Sequence, residues 1–300
     1  MKKKTEKIDY IIALAGNPNV GKSTVFNNLT GLRQHTGNWP GKTVSNASGN
    51  YIFDNENYLI YDLPGTYSLN AHSTEEEVAR DFICFGNYDV AVIVCDAVCL
   101  ERNLNLVLQV LEITNKSIIC VNLLDEAKKK KIKIDLVKLS DYLGVPVVGS
   151  SASKGKGMKE LVKKISLMAK VKTNSYLKID YNETIEKAIK IVESNINNVN
   201  LNKRWLALKL LDDDYELINS LNHTLGYNII NNELEEVINK AKQILLENDI
   251  TSNNLKEYVI SAINKKAEFI YHQTVTLDSI NYNQKDLKID KWLTSKWTGI

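Results

Sequence analysis

A glycine-rich loop near the amino terminus is the feature that most restricts how this chain can fold. Residues 16–23 have the sequence Gly-Asn-Pro-Asn-Val-Gly-Lys-Ser, which fits the pattern G-x-x-x-x-G-K-[ST]. The loop follows an apolar run at residues 9–15 that predicts a buried strand, and it opens a predicted helix at residues 23–29. A loop in this position turns backbone N–H groups inward beside a helix N-terminus, so it predicts a phosphate-binding site.

Single residues of this loop have distinct predicted roles. Gly16 and Gly21 let the backbone fold around a phosphate chain. Lys22 can reach the β- and γ-phosphate oxygens of a nucleotide, and the Ser23 hydroxyl can ligate Mg²⁺. The predicted nucleotide-binding residues of the loop are Gly16, Asn17, Pro18, Asn19, Val20, Gly21, Lys22, Ser23 and Thr24.

Strand and helix patterns alternate through the first half of the chain. Apolar runs predict further buried strands at residues 57–63, 89–95, 117–123 and 145–149. Helical patterns lie between them at residues 73–85, 100–114, 135–143 and 158–169. This alternation predicts an α/β fold with a mostly parallel sheet flanked by helices on both faces. Residues 43–53 alternate less cleanly, and we expect an antiparallel edge strand there.

Two more motifs stand at the ends of predicted strands. Asp62-Leu63-Pro64-Gly65 fits D-x-x-G, in which Asp62 would hold Mg²⁺ through water and the Gly65 N–H would meet the γ-phosphate. Asn122-Leu123-Leu124-Asp125 fits N-x-x-D. The Asp125 carboxylate can accept two hydrogen bonds from guanine that adenine does not offer, so it would select GTP over ATP.

The motif set as a whole indicates a P-loop GTPase. Ser151, Ala152 and Ser153 follow the last predicted strand, where a backbone N–H would contact guanine O6. Four motifs in this order predict binding of GTP or GDP with Mg²⁺ and hydrolysis of GTP to GDP and phosphate. Residues 34–44 occupy the expected position of switch I, and Thr43 is the predicted second Mg²⁺ ligand, with Thr36 as the competing threonine.

The second half of the chain has a different pattern. From about residue 172, apolar residues recur at helical spacing, which predicts a helical bundle. We therefore predict a GTPase domain at residues 1–171, a helical domain at residues 172–273 and a linker at residues 274–300.

Composition argues against several other classes of protein. The net charge is +2, so the overall charge does not indicate a nucleic-acid-binding surface, which leaves a local basic patch as the alternative. The sequence has no run of about 18 apolar residues, which favours a cytoplasmic chain. The four cysteines form no C-x-x-C pair and the four histidines have no metal-ligand spacing, so we expect reduced thiols and no transition-metal site.

Several motifs resemble the bacterial ferrous iron transport protein B family. They are residues 16–24, 37–44 (Gly-Asn-Trp-Pro-Gly-Lys-Thr-Val), 62–69 (Asp-Leu-Pro-Gly-Thr-Tyr-Ser-Leu) and 100–104 (Leu-Glu-Arg-Asn-Leu). The resemblance covers the whole chain. It also includes residues 203–211, which are similar to a helical domain that stabilises bound GDP.

The resemblance implies roles for switch I. Thr43 would be its Mg²⁺ ligand, with Gly41 and Lys42 beside the nucleotide. A K⁺ site would form from the Asn19 side chain and the backbone carbonyls of Gly37 and Trp39. The predicted catalytic residues are Asn19, Lys22, Thr43 and Gly65.

Two positions depart from the common GTPase pattern. Thr66 stands where many GTPases carry a glutamine that orients the attacking water, which leaves the water-positioning group unidentified. Leu123 stands where many carry a lysine that stacks on the base, which predicts a looser hold on guanine and faster exchange.

The carboxyl-terminal sequence suits a membrane–water interface. Ile289, Trp292, Leu293, Trp297 and Ile300 recur on one helical face, flanked by Lys288, Lys291 and Lys296. An ordinary amphipathic tail that packs on the bundle is the alternative. The family continues into a membrane domain that transports iron. The resemblance thus implies a regulatory GTPase at the cytoplasmic face of the bacterial inner membrane.

Two alternative functions share the same motifs. One is a soluble ribosome- or RNA-associated GTPase, although no basic or aromatic cluster stands out at residues 172–273. The other is a binding switch with negligible turnover, because position 66 lacks the glutamine.

Overall fold

The structure is a computed structural model that describes residues 7–31, 34–39, 44–71, 73–171, 176–197 and 199–277. Its strands are β1 (Tyr10–Gly16), β2 (Gln34–Asn38), β3 (Ser45–Phe53), β4 (Glu56–Asp62), β5 (Val90–Asp96), β6 (Ser117–Asn122), β7 (Ile132–Ile134), β8 (Val147–Gly149) and β9 (Val275–Leu277). Its helices are α1 (Lys22–Thr30), α2 (Thr74–Phe85), α3 (Leu100–Ile113), α4 (Leu124–Lys129), α5 (Leu136–Leu143), α6 (Met158–Ala169), α7 (Glu183–Glu193), α8 (Lys203–Leu211), α9 (Tyr215–Leu225), α10 (Asn232–Leu246) and α11 (Ser252–Thr274).

A seven-stranded sheet in the order β2-β3-β4-β1-β5-β6-β8 forms the first half. β1 pairs in parallel with β4 and β5, and the parallel pairing continues through β6 to β8. Alternate residues of β1 enter two different cores: Ile12 and Leu14 face α1 and α6, whereas Ala13 and Ala15 face the core of α2, α3 and α5. The predicted parallel sheet with helices on both faces is therefore confirmed.

Residues 43–53 were predicted to form an antiparallel edge strand; β3 (Ser45–Phe53) is antiparallel, but its predicted position at the edge was wrong. β3 pairs antiparallel with β4 on one side and with β2 on the other, so β2 is the edge. β2 lies within the stretch expected to be the switch I loop. Its residues are polar or glycine, and its antiparallel pairing with β3 needs no apolar alternation that a sequence could display.

The second half consists of α7 to α11. The hydrophobic core formed by α2, α3 and α5 also includes residues of these helices. In particular, α11 packs directly against α3 and α5. β9 follows α11 and pairs antiparallel with β7. Neither β9 nor β7 was predicted from the sequence. Strands of three residues are too short to give a periodic pattern.

A buried polar network joins the two halves. The Glu112 carboxylate on α3 accepts hydrogen bonds from the Arg204 guanidinium and the Tyr181 hydroxyl, each at 3.1 Å. Arg204 also bonds Glu186 at 2.6 Å, and the Asn202 amide donates to the Glu112 carbonyl at 2.6 Å. Burial raises the pKa of Glu112 to about 7, although the charge of Arg204 opposes the shift.

Within the described ranges, no helix combines the length and the apolar character that a membrane crossing requires.

Candidate nucleotide-binding site

The loop between β1 and α1 needs its two glycines. A Cβ atom on Gly16 would lie 2.5 Å from the Val94 carbonyl oxygen, so no side chain fits. Gly21 has a φ of 81°, and a Cβ there would lie 2.5 Å from the Asn122 side-chain nitrogen. α1 begins at the next residue, Lys22, so the loop ends at a helix N-terminus as predicted. The backbone therefore has the form of a phosphate-binding loop.

An open cleft of about 590 Å³ lies over this loop. Its lining residues are Asn17, Pro18, Asn19, Gly21, Lys22, Ser23, Thr24 and Gly65. Gly65 packs on the loop, because a Cβ added to it would be 3.2 Å from the Pro18 nitrogen. The Thr66 N–H donates to the Gly16 carbonyl at 3.2 Å. The structure thus brings the D-x-x-G segment against the glycine loop.

Lys22 and Asp62 form an ion pair in the cleft, and each side chain is only 12% exposed. Burial raises the pKa of Asp62, and the ammonium of Lys22 opposes the shift. The cation expected to meet phosphate and the carboxylate expected to meet Mg²⁺ are therefore neighbours that neutralise each other. A phosphate bound here would compete with Asp62 for Lys22.

Asn122 connects the separate motifs. Its side-chain NH₂ donates to the Val20 carbonyl at 3.0 Å, and its oxygen accepts from the Ser150 hydroxyl and the Ala152 N–H, also at 3.0 Å. The residue is 1% exposed. One buried amide therefore fixes the glycine loop relative to the loop after β8.

The carboxylate of Asp125 is only half satisfied. One oxygen pairs with Lys154 at 2.7 Å, and the other is buried without a hydrogen-bond partner among the described residues. The hydrogen bond from Lys154 holds the pKa of Asp125 below its ordinary value. The Asp125 N–H donates to the Ser151 hydroxyl at 3.2 Å. The Asp125 carboxylate is thus an ionised acceptor that keeps hydrogen-bonding capacity for an external donor.

Leu123 and Leu124 shape the backbone around Asp125. Leu123 has a φ of 63°, a left-handed conformation that a leucine rarely adopts. α4 starts immediately afterwards, at Leu124. A Cβ on Gly149 would lie 2.6 Å from a terminal methyl carbon of Leu124, so β8 packs closely against this turn. Backbone strain of this kind clusters at functional sites.

Position 66 is a threonine where many GTPases have a glutamine, so we compared the polar side chains of Thr66 and Asn17. The Thr66 hydroxyl donates to the Ser68 carbonyl at 2.5 Å, so it is engaged within its own segment. Asn17 is 3% exposed, and neither its amide oxygen nor its NH₂ has a partner among the described residues. The cleft wall therefore contains an unsatisfied amide at a position that was predicted only as a general nucleotide contact.

The segment after Gly65 is held by α3. The Leu69 N–H donates to the Gln109 side chain at 2.7 Å, and the Arg102 guanidinium lies 4.1 Å from the centre of the Tyr67 ring. Sequence reasoning assigned no role to these two residues of α3 or to Lys154. Each is a common polar residue whose importance comes from tertiary contact, and the motif at residues 100–104 was the only sequence signal near them.

The predicted switch I residues are only partly described. Gly41, Lys42 and Thr43 lie outside the described residues. Gly37 lies in β2, and Trp39 is buried with its ring centre 5.7 Å from that of Tyr61 and 5.1 Å from that of Phe82. Neither Gly37 nor Trp39 lines the cleft, whereas Asn19 does. The structure does not bring the three predicted K⁺ ligands together at the cleft.

A glycine loop from β1 to α1, D-x-x-G after β4, N-x-x-D after β6 and a serine-rich loop after β8 meet at the carboxyl edge of a parallel sheet. This fold and site define a P-loop GTPase. Comparison with known families is more specific. Residues 10–165 match the model for ferrous iron transport protein B, and residues 181–276 match that for the FeoB cytosolic helical domain. The chain belongs to the ferrous iron transport protein B family.

Curated relatives agree with this assignment. The Fe(2+) transporter FeoB of Methanocaldococcus jannaschii is 37% identical over 92% of this chain and 42% of its own length. The Fe(2+) transporter FeoB of Staphylococcus aureus (strain MSSA476) is 32% identical over 96% of this chain and 42% of its own length. The chain therefore spans less than half of the curated relatives that it matches.

Solved structures with the same fold come from the cytosolic parts of such proteins. The cytosolic domain of the T. maritima FeoB iron transporter is 34% identical to this chain. Its GDP form and its GMPPNP form both superpose with a TM-score of 0.75. The match covers 89% of this chain and 99% of the T. maritima chain. A point mutant of S. thermophilus NFeoB bound to GDP is 32% identical, with a TM-score of 0.78 and coverage of 89% and 100%.

Proposed function

We propose that this chain binds GTP and GDP with Mg²⁺ and hydrolyses GTP to GDP and phosphate. The observation that carries the proposal is the Asp125 carboxylate, which keeps one buried oxygen without a partner among the described residues. Asn122 links its loop to the glycine loop that would hold the phosphates. Solved relatives with GDP and GMPPNP forms support the same ligand class.

Each motif has a proposed role in nucleotide binding. Residues 16–24 and 62–65 would hold the phosphates, residues 122–125 and 151–153 would hold guanine, and residues 41–43 would close over the site. Lys22 would leave Asp62 and move to the β- and γ-phosphates, because two anionic groups compete for one ammonium.

The residues at the cleft fit a magnesium ion. Ser23 and Asp62 offer a hydroxyl and a carboxylate, the oxygen ligands that Mg²⁺ prefers, and Thr43 would add a second hydroxyl. When bound, the ion neutralises charge that develops on the phosphate oxygens. The release of Lys22 from Asp62 would free the carboxylate for this role.

A potassium ion is the proposed second cation. Asn19 lines the cleft and would ligate K⁺ with the carbonyls of Gly37 and Trp39 once switch I has moved. A cation there would offset negative charge on the transferring phosphoryl group, as an arginine finger does in other GTPases. The backbone N–H of Gly65 would meet the γ-phosphate on the opposite side.

The domain organisation supports a role in iron uptake. We assign residues 1–171 to a GTPase domain, residues 172–273 to a helical domain that stabilises bound GDP, and residues 274–300 to a link with a membrane domain. The curated relatives are named as Fe(2+) transporters. GTP binding and hydrolysis at the cytoplasmic face of the inner membrane would then regulate or drive Fe²⁺ uptake. The family match of both halves disfavours an RNA-associated GTPase.

A single set of assays tests this function. Purified wild-type chain should release phosphate from GTP slowly, and faster in K⁺ than in Na⁺. Lys22→Ala should abolish nucleotide binding, whereas Asn19→Ala should keep GDP binding and lose only the K⁺ stimulation. Nucleotide binding without phosphate release in a single turnover would instead identify a pure binding switch. Equal rates in the two ions would contradict the potassium site.

A further inference from the structure

A compact lysine cluster spans the end of α4 and the start of β7. Lys128, Lys129, Lys130 and Lys131 are consecutive, and Lys133 follows on β7. All five residues are exposed. Lys128 and Lys129 end α4, and Lys130 and Lys131 connect it to β7, so several ammonium groups lie within a Debye length of one another. This lysine cluster therefore has a strong local positive potential in a chain whose net charge is only +2.

Three of the five lysines lack an ion pair in the described part of the chain. Lys129 pairs with Glu126 at 2.8 Å, and this pair is exposed on both sides. Lys128, Lys130 and Lys131 have no ion pair in the part of the chain that the structure describes. Keeping like charges side by side without counter-charges costs free energy, so the arrangement fits an external anionic partner.

The position of the lysine cluster indicates the kind of partner. β7 pairs with β9, and Lys133 is opposite Thr276 in the register. β9 is the last described element, so the cluster lies beside the point where the chain continues toward residues 278–300. Two aliphatic side chains near it are exposed: Val137 at 74%, just after β7, and Leu277 at 47% on β9.

We propose that the lysine cluster is a docking surface for anionic phospholipid headgroups. Polybasic segments bind acidic membranes through the summed attraction of their charges. Exposed aliphatic side chains add an apolar contact at the same surface. The sequence beyond β9 carries Trp292 and Trp297 among lysines, which is a composition typical of an interface with lipid.

This docking surface goes beyond GTP hydrolysis and can hold or fail independently of it. An RNA backbone would offer the same phosphate charge. The exposed apolar residues on β9 and at the start of α5 are aliphatic, however, whereas single-stranded RNA is bound with aromatic stacking. Membrane docking is therefore the favoured partner, and RNA binding is an outcome of the test.

The test compares two triple variants of the full 300-residue chain. One is Lys128→Gln, Lys130→Gln and Lys131→Gln. The matched control is Lys159→Gln, Lys163→Gln and Lys164→Gln on α6, which removes the same charge from another surface. Each protein is sedimented with vesicles of phosphatidylcholine that contain about 30% phosphatidylglycerol, and with vesicles of phosphatidylcholine alone, at low and at physiological salt.

Wild-type chain and control should bind the anionic vesicles, and high salt should weaken that binding. The cluster variant should bind about a hundredfold more weakly, because each lysine near an acidic surface contributes about fivefold. GDP affinity, measured in parallel, should be the same in all three proteins, which shows that the variants are folded.

Four outcomes would overturn the proposal. The wild-type chain could fail to bind anionic vesicles, or bind neutral vesicles equally well. The α6 control could lose as much binding as the cluster variant, which would indicate a general charge effect. Cluster-dependent binding of an RNA oligonucleotide, with no difference between the variants on vesicles, would assign the surface to RNA.

Failure of the proposed function can be told apart from failure of the docking surface. Absence of GDP binding by the wild-type chain would contradict only the nucleotide assignment. The vesicle comparison would still decide the docking surface, with circular dichroism spectra of the three proteins as the check on folding.

Discussion

Asn122 shows how a motif residue can be important through its hydrogen bonds within the protein. Its three hydrogen bonds reach the Val20 carbonyl, the Ser150 hydroxyl and the Ala152 N–H. The first of these belongs to the loop proposed to hold phosphate, and the last to the loop proposed to hold guanine. Replacement by a residue without an amide would leave buried donors and acceptors unpaired.

We predict that Asn122→Ala lowers the free energy of unfolding by about 2–4 kcal/mol, since each lost buried hydrogen bond costs about 1 kcal/mol. GDP affinity should fall at least about tenfold, because the two loops lose their fixed spacing. Urea unfolding and a fluorescent GDP titration measure the two effects. Asn248→Ala is the control, since its amide is exposed and donates only to the Ile244 carbonyl. Wild-type stability in Asn122→Ala would refute the linking role.

Individual site residues could be predicted from the sequence where the chemistry of binding requires both a residue type and a fixed spacing. Phosphate contact requires glycines and a lysine at fixed positions, so Gly16, Gly21 and Lys22 could be predicted. The pairing of Lys154 with Asp125 could not, because a lysine in a glycine-rich loop is also typical of a solvated turn. The unsatisfied Asn17 amide likewise depends on burial, which no local pattern encodes.

At the scale of elements, the contact between α3 and α8 contains a carboxyl group whose pKa is raised to near neutrality. Burial raises the pKa of Glu112 to about 7 in the folded chain, from its ordinary value of 4.5. The folded state therefore holds a proton that the unfolded state releases. The stabilising contribution is complete below about pH 4.5 and is lost as the pH rises through about 7.

We predict that wild-type chain loses up to about 3 kcal/mol of unfolding free energy between about pH 5 and pH 8 through this group. Glu112→Gln, which keeps a polar partner for Tyr181, should remove that part of the pH dependence. Urea unfolding of both proteins across this range gives the comparison. Parallel pH profiles would show that another group, such as Asp212 with its pKa raised to about 6, is responsible.

The Trp39 side chain is a natural reporter of switch I. It is buried between Tyr61 on β4 and Phe82 on α2. Thr43 stands four residues further on, and its proposed movement to Mg²⁺ would pull Trp39 out of this aromatic contact. We predict that GMPPNP with Mg²⁺ shifts tryptophan emission to longer wavelength, whereas GDP does not. Trp39→Phe should abolish the shift; a shift that persists must come from another tryptophan.

Elements with strong apolar patterns were predictable, and short polar ones were not. β1, β5 and β6 are nearly continuous apolar runs that are buried on both faces, and each was predicted within about one residue. β2 has only polar residues and glycine, and β9 has three residues. Their existence depends on a pairing partner distant in sequence, which a local window does not contain.

At the scale of the whole molecule, the nucleotide cleft and the helical half are physically continuous. Gln109 on α3 holds the segment after Gly65, and Glu112 one turn later meets Arg204 on α8. One helix therefore contacts both the segment after Gly65 and the helical half. The order of motifs predicted the GTPase fold, and the resemblance predicted the family. The packing of α11 against α3 and α5 could not be predicted, because amphipathic stripes do not specify partners.

The central claim is that Asp125 selects guanine. The most direct test is Asp125→Asn, which replaces one carboxylate oxygen by an amide NH₂. Xanthine presents an oxygen where guanine has its exocyclic amine, so a carboxylate repels it while an amide NH₂ can donate to it. Affinities of GDP and XDP for wild type and Asp125→Asn are measured side by side. We predict that wild type prefers GDP by at least about a hundredfold and that the variant prefers XDP. Unchanged preference for GDP in Asp125→Asn would contradict the account.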